Sequence, residues 1–430
     1  MLPRGGRRGS RGRDGGDQQA PRGGGTGRSS TGGGGGDRLT HGMSSLSIGG
    51  VVTSRGTQGT PIELITNHYR IQGLEGITCL LYEINIQLVR RDGRGSLAMT
   101  AAPAAPGVDG RRLRNDRKAD NRRIVDQMTR EWPEVFANRL YAFDGQQYMY
   151  CGRELALPPN GEQHPRRVTI ALDGQPEQTF EVRIKFTKPI AFNVINGYFA
   201  GKNRAPSDED FREAIQALEI VLRYVSDRTR VPVGRNLYEP DRRMAIVGTN
   251  AEIAFGHYQS LHVTQQGLTF IVDRTATLFL SAGSLAQFLQ KEMNIGDIGR
   301  QPFTQQLIDA INKKIKGLKI FTNHLPYKRS YVIESMIVKK PGEYTFPDQK
   351  GDVVSVEQYF RDHYQRPLRL LNVPLIKTRG SGNTHLPVEV CSLYENQPMP
   401  RKLVTANMTR DIVKQSNSQT PTQRFAQIQQ

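Results

Sequence analysis

Fifteen of the 44 glycines in this chain fall within its first 40 residues, interleaved with arginine as in Arg4-Gly5-Gly6-Arg7-Arg8-Gly9. Apolar side chains are too sparse there to offset the entropy of ordering a backbone, so residues 1–58 are expected to be a disordered, Arg-Gly-rich tail. Any packed core is thereby confined to residues 59–430, enough for two or three domains. Tails of this composition adhere to RNA through charge and stacking, and their arginines are substrates for methylation.

The formal charge is +18 over 430 residues. Eight Arg and three Asp in the first 40 positions account for +5, which leaves +13 on the other 390. A folded part this basic suits polyanionic partners. No apolar run is long enough to span a membrane, and the N-terminus lacks the apolar stretch of a secretory signal, so no membrane partner is expected. Cys79, Cys151 and Cys391 lie far apart without a CxxC pair, which points away from a disulfide framework or a zinc site and towards a reduced, cytoplasmic or nuclear setting.

From Pro61 to Asp227 the pattern is mixed α+β. Ile77, Cys79 and Leu81, then Ile84, Ile86 and Leu88, alternate as a strand does, with a change of phase near Tyr82 that suggests a bulge. Val168 to Leu172 and Phe180 to Phe186 read as a hairpin joined through Asp173-Gly174. A helix is expected from Asn121 towards Trp132, with Ile124, Val125 and Met128 inward. Another should carry Phe211, Ile215, Leu218, Leu222 and Val225, capped by Ser207. The densest basic cluster of the folded part includes Arg111, Arg112, Arg114, Arg117 and Lys118, expected at a loop-to-helix transition where side chains reach RNA phosphates. A solvated face explains the same cluster equally well.

Val231-Pro232-Val233-Gly234 reads as a boundary. Strand-like patterns follow at Ile253 to His257, Leu268 to Val272 and Leu278 to Leu280, then a short helix over 284–293, in a region too small for a large core of its own. A third unit opens with an amphipathic helix carrying Leu307, Ile308, Ile311 and Ile315. Strand-like runs follow at Leu318 to Phe321, Tyr331 to Val338, Val353 to Val356 and Val388 to Val390, interrupted by a helix from Val356 to His363. Together they suggest a small open barrel.

Residues 298–400 hold ten of the chain's 31 Phe and Tyr, several beside cations: Tyr327-Lys328-Arg329, Tyr331, Phe360-Arg361, Tyr364 and Arg366. Aromatic faces for bases beside charges for the backbone are what recognition of single-stranded nucleic acid requires, each stacked base contributing about 1–3 kcal/mol. His324 nearby can donate to a phosphate oxygen. His257 and His262 are five apart on a strand pattern and face opposite sides, so no shared metal is expected. No nucleotide P-loop, GxSxG elbow or HExxH helix occurs, and neither cofactor nor metal is expected.

The order of segments and several local words resemble the N-terminal half of a eukaryotic Argonaute. They include Thr66-Asn67-His68-Tyr69, Val233-Gly234-Arg235-Asn236-Leu237-Tyr238, Phe255-Gly256-His257-Tyr258, Tyr344-Thr345-Phe346-Pro347, Gln358-Tyr359-Phe360 and Leu386-Pro387-Val388-Glu389-Val390-Cys391. The resemblance implies an α+β multidomain chain. Residues 59–228 would form a mixed N domain, 229–297 a first linker, 298–410 an OB-like β-barrel PAZ domain with an inserted β/α element, and 411–430 the start of a second linker. It also implies a grip on the 3′ end of a single-stranded small guide RNA, with duplex handling by the N domain. His324, Arg329, Tyr331 and Tyr364 match the family's ligands for the last internucleotide phosphate, Phe346 the ring against the terminal nucleotide, and Thr384 and Leu386 the end pocket. Departures occur at Val332, where relatives carry a second Arg, at Leu370 in place of a phosphate-binding Tyr, and at Gly382 in place of a Lys. The chain stops at Gln430, so the resemblance extends to neither the MID domain nor the PIWI endonuclease, and cleavage by this chain is not expected. Two other readings stay open. One is a protein-interaction scaffold in which the methylated tail recruits methylarginine readers beside a degenerate pocket, and the other is a nuclease completed by local carboxylates.

Overall fold

The computed structural model describes residues 59–429, apart from 61, 90–95, 100–109, 137–138, 173–176, 200–207, 265–266, 349–350, 380–383 and 418. The tail, Ser207, Asp173-Gly174 and Gly382 therefore lie outside the described residues.

The N-terminal unit is built on an antiparallel sheet whose centre pairs strand Thr78–Val89 with strand Gln178–Ala191. Tyr141–Phe143 and Tyr148–Cys151 extend the sheet on one side and Glu162–Ile170 on the other. The register shifts between Leu81 and Tyr82, the bulge that the change of phase foretold. Leu81 and Tyr82 are consequently both buried. Beyond the bulge, Tyr82, Ile84 and Ile86 point into a core closed by Ile124, Val125 and Met128 of a helix. The Tyr82 hydroxyl, at 0% exposure, accepts from the Leu155 N–H at 3.0 Å, which satisfies a polar atom inside that core. Ile77 stays outside, half exposed, one residue before the strand begins.

The helix over that core runs Gly110–Glu131, eleven residues earlier than the apolar spacing required. Arg111 to Lys118 are therefore helical, not a loop-to-helix transition. A second long helix, Asp208–Thr229, buries Phe211, Ile215 and Leu218 but leaves Leu222 and Val225 exposed. The two helices are tied through Asp227, which accepts from Arg122 at 2.9 Å and Arg223 at 2.7 Å.

Val231–Val233 is the edge strand that opens the linker sheet. It forms a hairpin with Asn236–Ala245 through Gly234, whose φ of 64° needs a residue without a Cβ. These strands continue into the long pair Ala251–Thr264 and Gly267–Leu280. His68–Arg70, within the expected N domain, adds the outer strand of this linker sheet, with Tyr69 opposite Phe270. A bulge sits between Ala254 and Gly256, where the neighbouring strand comes so close that a Cβ on Gly256 would lie 2.0 Å from the Leu237 carbonyl oxygen.

The third unit is a six-stranded antiparallel sheet ordered Gly283–Ser284, Cys391–Leu393, Lys319–Thr322, Arg329–Met336, Ile376–Thr378 and His385–Leu386. Helix Gln305–Ile315, capped by the Thr304 hydroxyl, buries Ile308, Ile311 and Ile315 against it. A two-stranded hairpin, Thr345–Pro347 with Val353–Ser355, and helix Val356–His363 are inserted. Val388–Val390, expected as a strand, is a 3₁₀ turn started by Pro387, and it frees Glu389 to accept the N–H groups of Arg369 and Leu370 at 2.9–3.0 Å. The linker shares its core with this unit: Ala251, Ile253, Leu278, Leu280 and Leu285 belong to the same cluster as Ile311, Ile333 and Val390. Helices Ala406–Asn417 and Pro421–Gln429 return to the linker sheet, where Arg424 holds Asp273 by a two-pronged ion pair at 2.9 Å. Among the described residues no helix is long and apolar enough to cross a membrane.

Candidate nucleic-acid interface

Two elements of the third unit converge. The turn from strand Lys319–Thr322 into strand Arg329–Met336 holds Asn323 to Lys328, with Thr322 paired to Arg329 at its base. His324 rises from this turn and Arg329 stands at its end. Facing them is the inserted helix, started by the Ser355 hydroxyl, which accepts from the Gln358 N–H at 3.1 Å. The helix ends at Tyr364 because Gln365 takes the left-handed conformation, φ 52°.

The rings form a continuous wall. Phe346 meets Tyr359 edge-on with centroids 5.2 Å apart, Tyr359 meets Tyr364 at 5.5 Å, and Tyr364 meets His324 at 4.7 Å. Phe360 backs both His324 and Tyr364 at 5.0 and 5.1 Å, and His363 stacks on Tyr359 at 4.7 Å. The Arg329 guanidinium lies 5.4 Å from the centroid of the Tyr331 ring. Such a surface offers edges and faces to a base, with a cation within reach of its phosphate.

Electrostatics favour an anion here. Burial, with the charges of Arg366 and Arg329 adding to it, pushes His324 down to about 4, so the imidazole is neutral at pH 7. Its Nδ1 is buried and has no hydrogen-bond partner. Burial likewise raises the Tyr364 hydroxyl to about 12 and raises that of Tyr331, so both remain protonated donors. Hydroxyls beside guanidinium groups are charge-assisted donors to a phosphate oxygen.

The low His324 value has a consequence for stability. The unfolded imidazole takes its proton near 6.5, the folded one only near 4. Between those pH values the unfolded state binds the extra proton, so stability falls as pH drops through this window. His324→Gln is expected to flatten that part of the pH profile in urea titrations run from pH 7 to 4.5. An unchanged slope would refute the assignment.

Of the sequence-derived candidates, the structure gathers His324, Arg329, Tyr331, Phe346 and Tyr364. Thr384 and Leu386 lie at the edge strand: the Thr384 carbonyl accepts from Thr378 N–H at 3.0 Å, and Leu386 is buried in the shared core. That strand reaches the insertion through His385, whose ring centroid is 4.1 Å from that of Tyr344. Arg117 and Lys118 sit in the N-terminal unit, half buried, and no described contact joins them to the aromatic wall. Arg111, Arg112 and Arg114 are helical, but their side chains lie outside the description. His257 and His262 have separate neighbours, Gln259 at 3.2 Å and the His68 ring at 6.2 Å. Tyr359 and His363 also stand in the wall, a placement that their i,i+4 spacing on an expected helix could have signalled.

Three family models match successive parts of the chain: the N-terminal domain of argonaute over residues 60–222, the Argonaute linker 1 domain over 232–281 and the PAZ domain over 287–413. Among solved structures, Kluyveromyces polysporus Argonaute with a guide RNA is 14% identical over 87% of this chain and 42% of its own, with a TM-score of 0.48. Drosophila Piwi is 16% identical over 84% of this chain and 38% of its own, with a TM-score of 0.33. The Drosophila Argonaute 2 PAZ domain, described for 3′ end recognition of nucleic acids, is 19% identical over 27% of this chain and 97% of its own, with a TM-score of 0.24. The chain thus spans about two fifths of the length of the first two structures. With the N-terminal domain, linker 1 and PAZ matched in that order across residues 60–413, the chain belongs to the Argonaute family.

Proposed function

We propose that this chain is the part of an Argonaute that holds the 3′ end of a single-stranded guide RNA in small-RNA silencing, in the cytoplasm or nucleus. The observation that carries the reading is the ring wall from Phe346 to His324 ending on a buried, unpartnered imidazole nitrogen between two arginines. A terminal base stacks on the wall, and the phosphate preceding it receives hydrogen bonds from Tyr331, Tyr364 and Arg329. A duplex end fits poorly, because its last base is already stacked and paired. The N-terminal unit, with its basic helix Gly110–Glu131, assists in handling duplexes. Residues 1–430 bind RNA in this reading and do not cut it, the matched modules being the N-terminal domain, linker 1 and PAZ.

Binding of the chain to one single-stranded RNA, with a free or a blocked 3′ end at fixed salt, tests the reading. Salt is held constant because a basic surface gives end-independent affinity that falls steeply with ionic strength. The free end should bind at least about tenfold tighter, the worth of one hydrogen bond to a charged group. Equal affinities would leave only a charged surface. Capture of methylarginine readers through the tail would then make the scaffold reading the better one.

A further inference from the structure

Arg366 bridges the inserted helix and the hairpin turn that carries His324. The left-handed Gln365 turns the chain back after the inserted helix, and the Arg366 N–H donates to the Phe360 carbonyl at 3.1 Å. Its side chain then crosses to the opposite element, where Nη1 donates to the main-chain oxygen of Asn323 at 3.0 Å. Asn323 directly precedes His324, so the guanidinium is held against the turn that carries the unpartnered imidazole nitrogen.

Among the described residues neither Arg366 nor Arg329 has a carboxylate partner, and the nearby Asp362 is taken by Arg361 at 3.2 Å. Arg366 is partly exposed, so an incoming ligand can reach its guanidinium. One carbonyl bond uses one of its five N–H groups and leaves the others for an incoming acceptor. Val332 and Leu370, at the positions where the family resemblance leads one to look for further donors, bring none: Leu370 packs against the shared core while its N–H is held by Glu389.

We propose that Arg366 is a phosphate ligand of this site, the second cationic arm opposite Arg329, and that the two guanidinium groups clamp one backbone phosphodiester of a single-stranded RNA across His324. The proposal rests on the 3′-end reading above and gives a specific contact to Arg366, which the family resemblance does not assign to the site. Two arms from separate elements also link the barrel turn to the insertion, so the bound phosphate would fasten one to the other.

The test is the salt dependence of RNA binding by the full chain, comparing wild type with Arg366→Met and Arg366→Lys. Each phosphate charge neutralised on a single strand contributes about 0.7 to the slope of log affinity against log salt. Arg366→Met should weaken binding about tenfold and reduce the slope by about 0.7. Arg366→Lys should keep the slope while losing part of the affinity, because lysine retains the charge without the fork. Should Arg366 only brace the turn, the Met variant would lose affinity with the slope unchanged, and that result overturns the proposal. Equal wild-type binding to free and blocked 3′ ends would instead defeat the end-holding reading itself. A wild-type preference for the free end, with identical slopes for wild type and Met variant, defeats the arginine assignment alone.

Discussion

Replacing Phe346 and Tyr364 together with alanine should erase the preference for a free RNA 3′ end. Phe346 stands at one end of the wall and Tyr364 beside His324 towards the other, with Tyr359 between them. Their loss removes both the stacking face and a protonated hydroxyl donor. One stacked base is worth about 1–3 kcal/mol, so a loss of about thirtyfold or more is expected for free-ended RNA. RNA with a blocked end should bind almost as before, since charge supplies that part. Both side chains are half buried against the shared core, so thermal unfolding of the variant must show an intact fold before binding is compared. Parallel loss for both RNAs would mean that the wall contributes to general adhesion and not to reading an end.

The largest expected effect on stability lies elsewhere, at Gly256. A methyl group there would sit 2.0 Å from the Leu237 oxygen and 2.7 Å from the Tyr238 Cα, both backbone atoms that cannot swing aside. The bulge would have to open and the strand pairing beyond it would be lost. Gly256→Ala should therefore cost on the order of 3 kcal/mol, read as a lowered urea midpoint. Gly197→Ala is the matched control, because that glycine lies in helix Asn193–Phe199 with nothing within 4 Å of the added carbon. It should be neutral, or stabilising by about 0.5–1 kcal/mol. Equal effects at the two positions would show that the close approach at the bulge is not constraining.

These positions also mark what local sequence can and cannot reveal. Helix Gln305–Ile315 was legible because Ile308, Ile311 and Ile315 repeat at its period, and the phase change at Tyr82 announced a real bulge. The start of helix Gly110–Glu131 was not, since Arg111 to Lys118 carry no apolar rhythm to extend. Val388 to Val390 looked like a strand by composition, but Pro387 and the demand of two N–H groups on Glu389 made a turn more favourable. Strand His68–Arg70 found its partner some two hundred residues away, a pairing no local pattern encodes. In the candidate interface the chemistry was legible as aromatic and basic residues side by side. Which of them would touch was not, because that depends on the inserted helix lying across the hairpin turn.

The core common to the linker strands and the third unit bears on how this protein comes apart. Ala251 and Leu280 on one side, Ile333 and Val390 on the other, and Met408 in the returning helix all belong to one cluster. A boundary drawn between linker and PAZ separates units of family comparison, yet no gap in the hydrophobic interior coincides with it. Amide protons of strands Ala251–Thr264 and Arg329–Met336 should then exchange through the same global opening and not through separate local ones. A guide held at the turn of one strand would slow exchange in the other, so that ligand occupancy is felt as protection well away from the RNA.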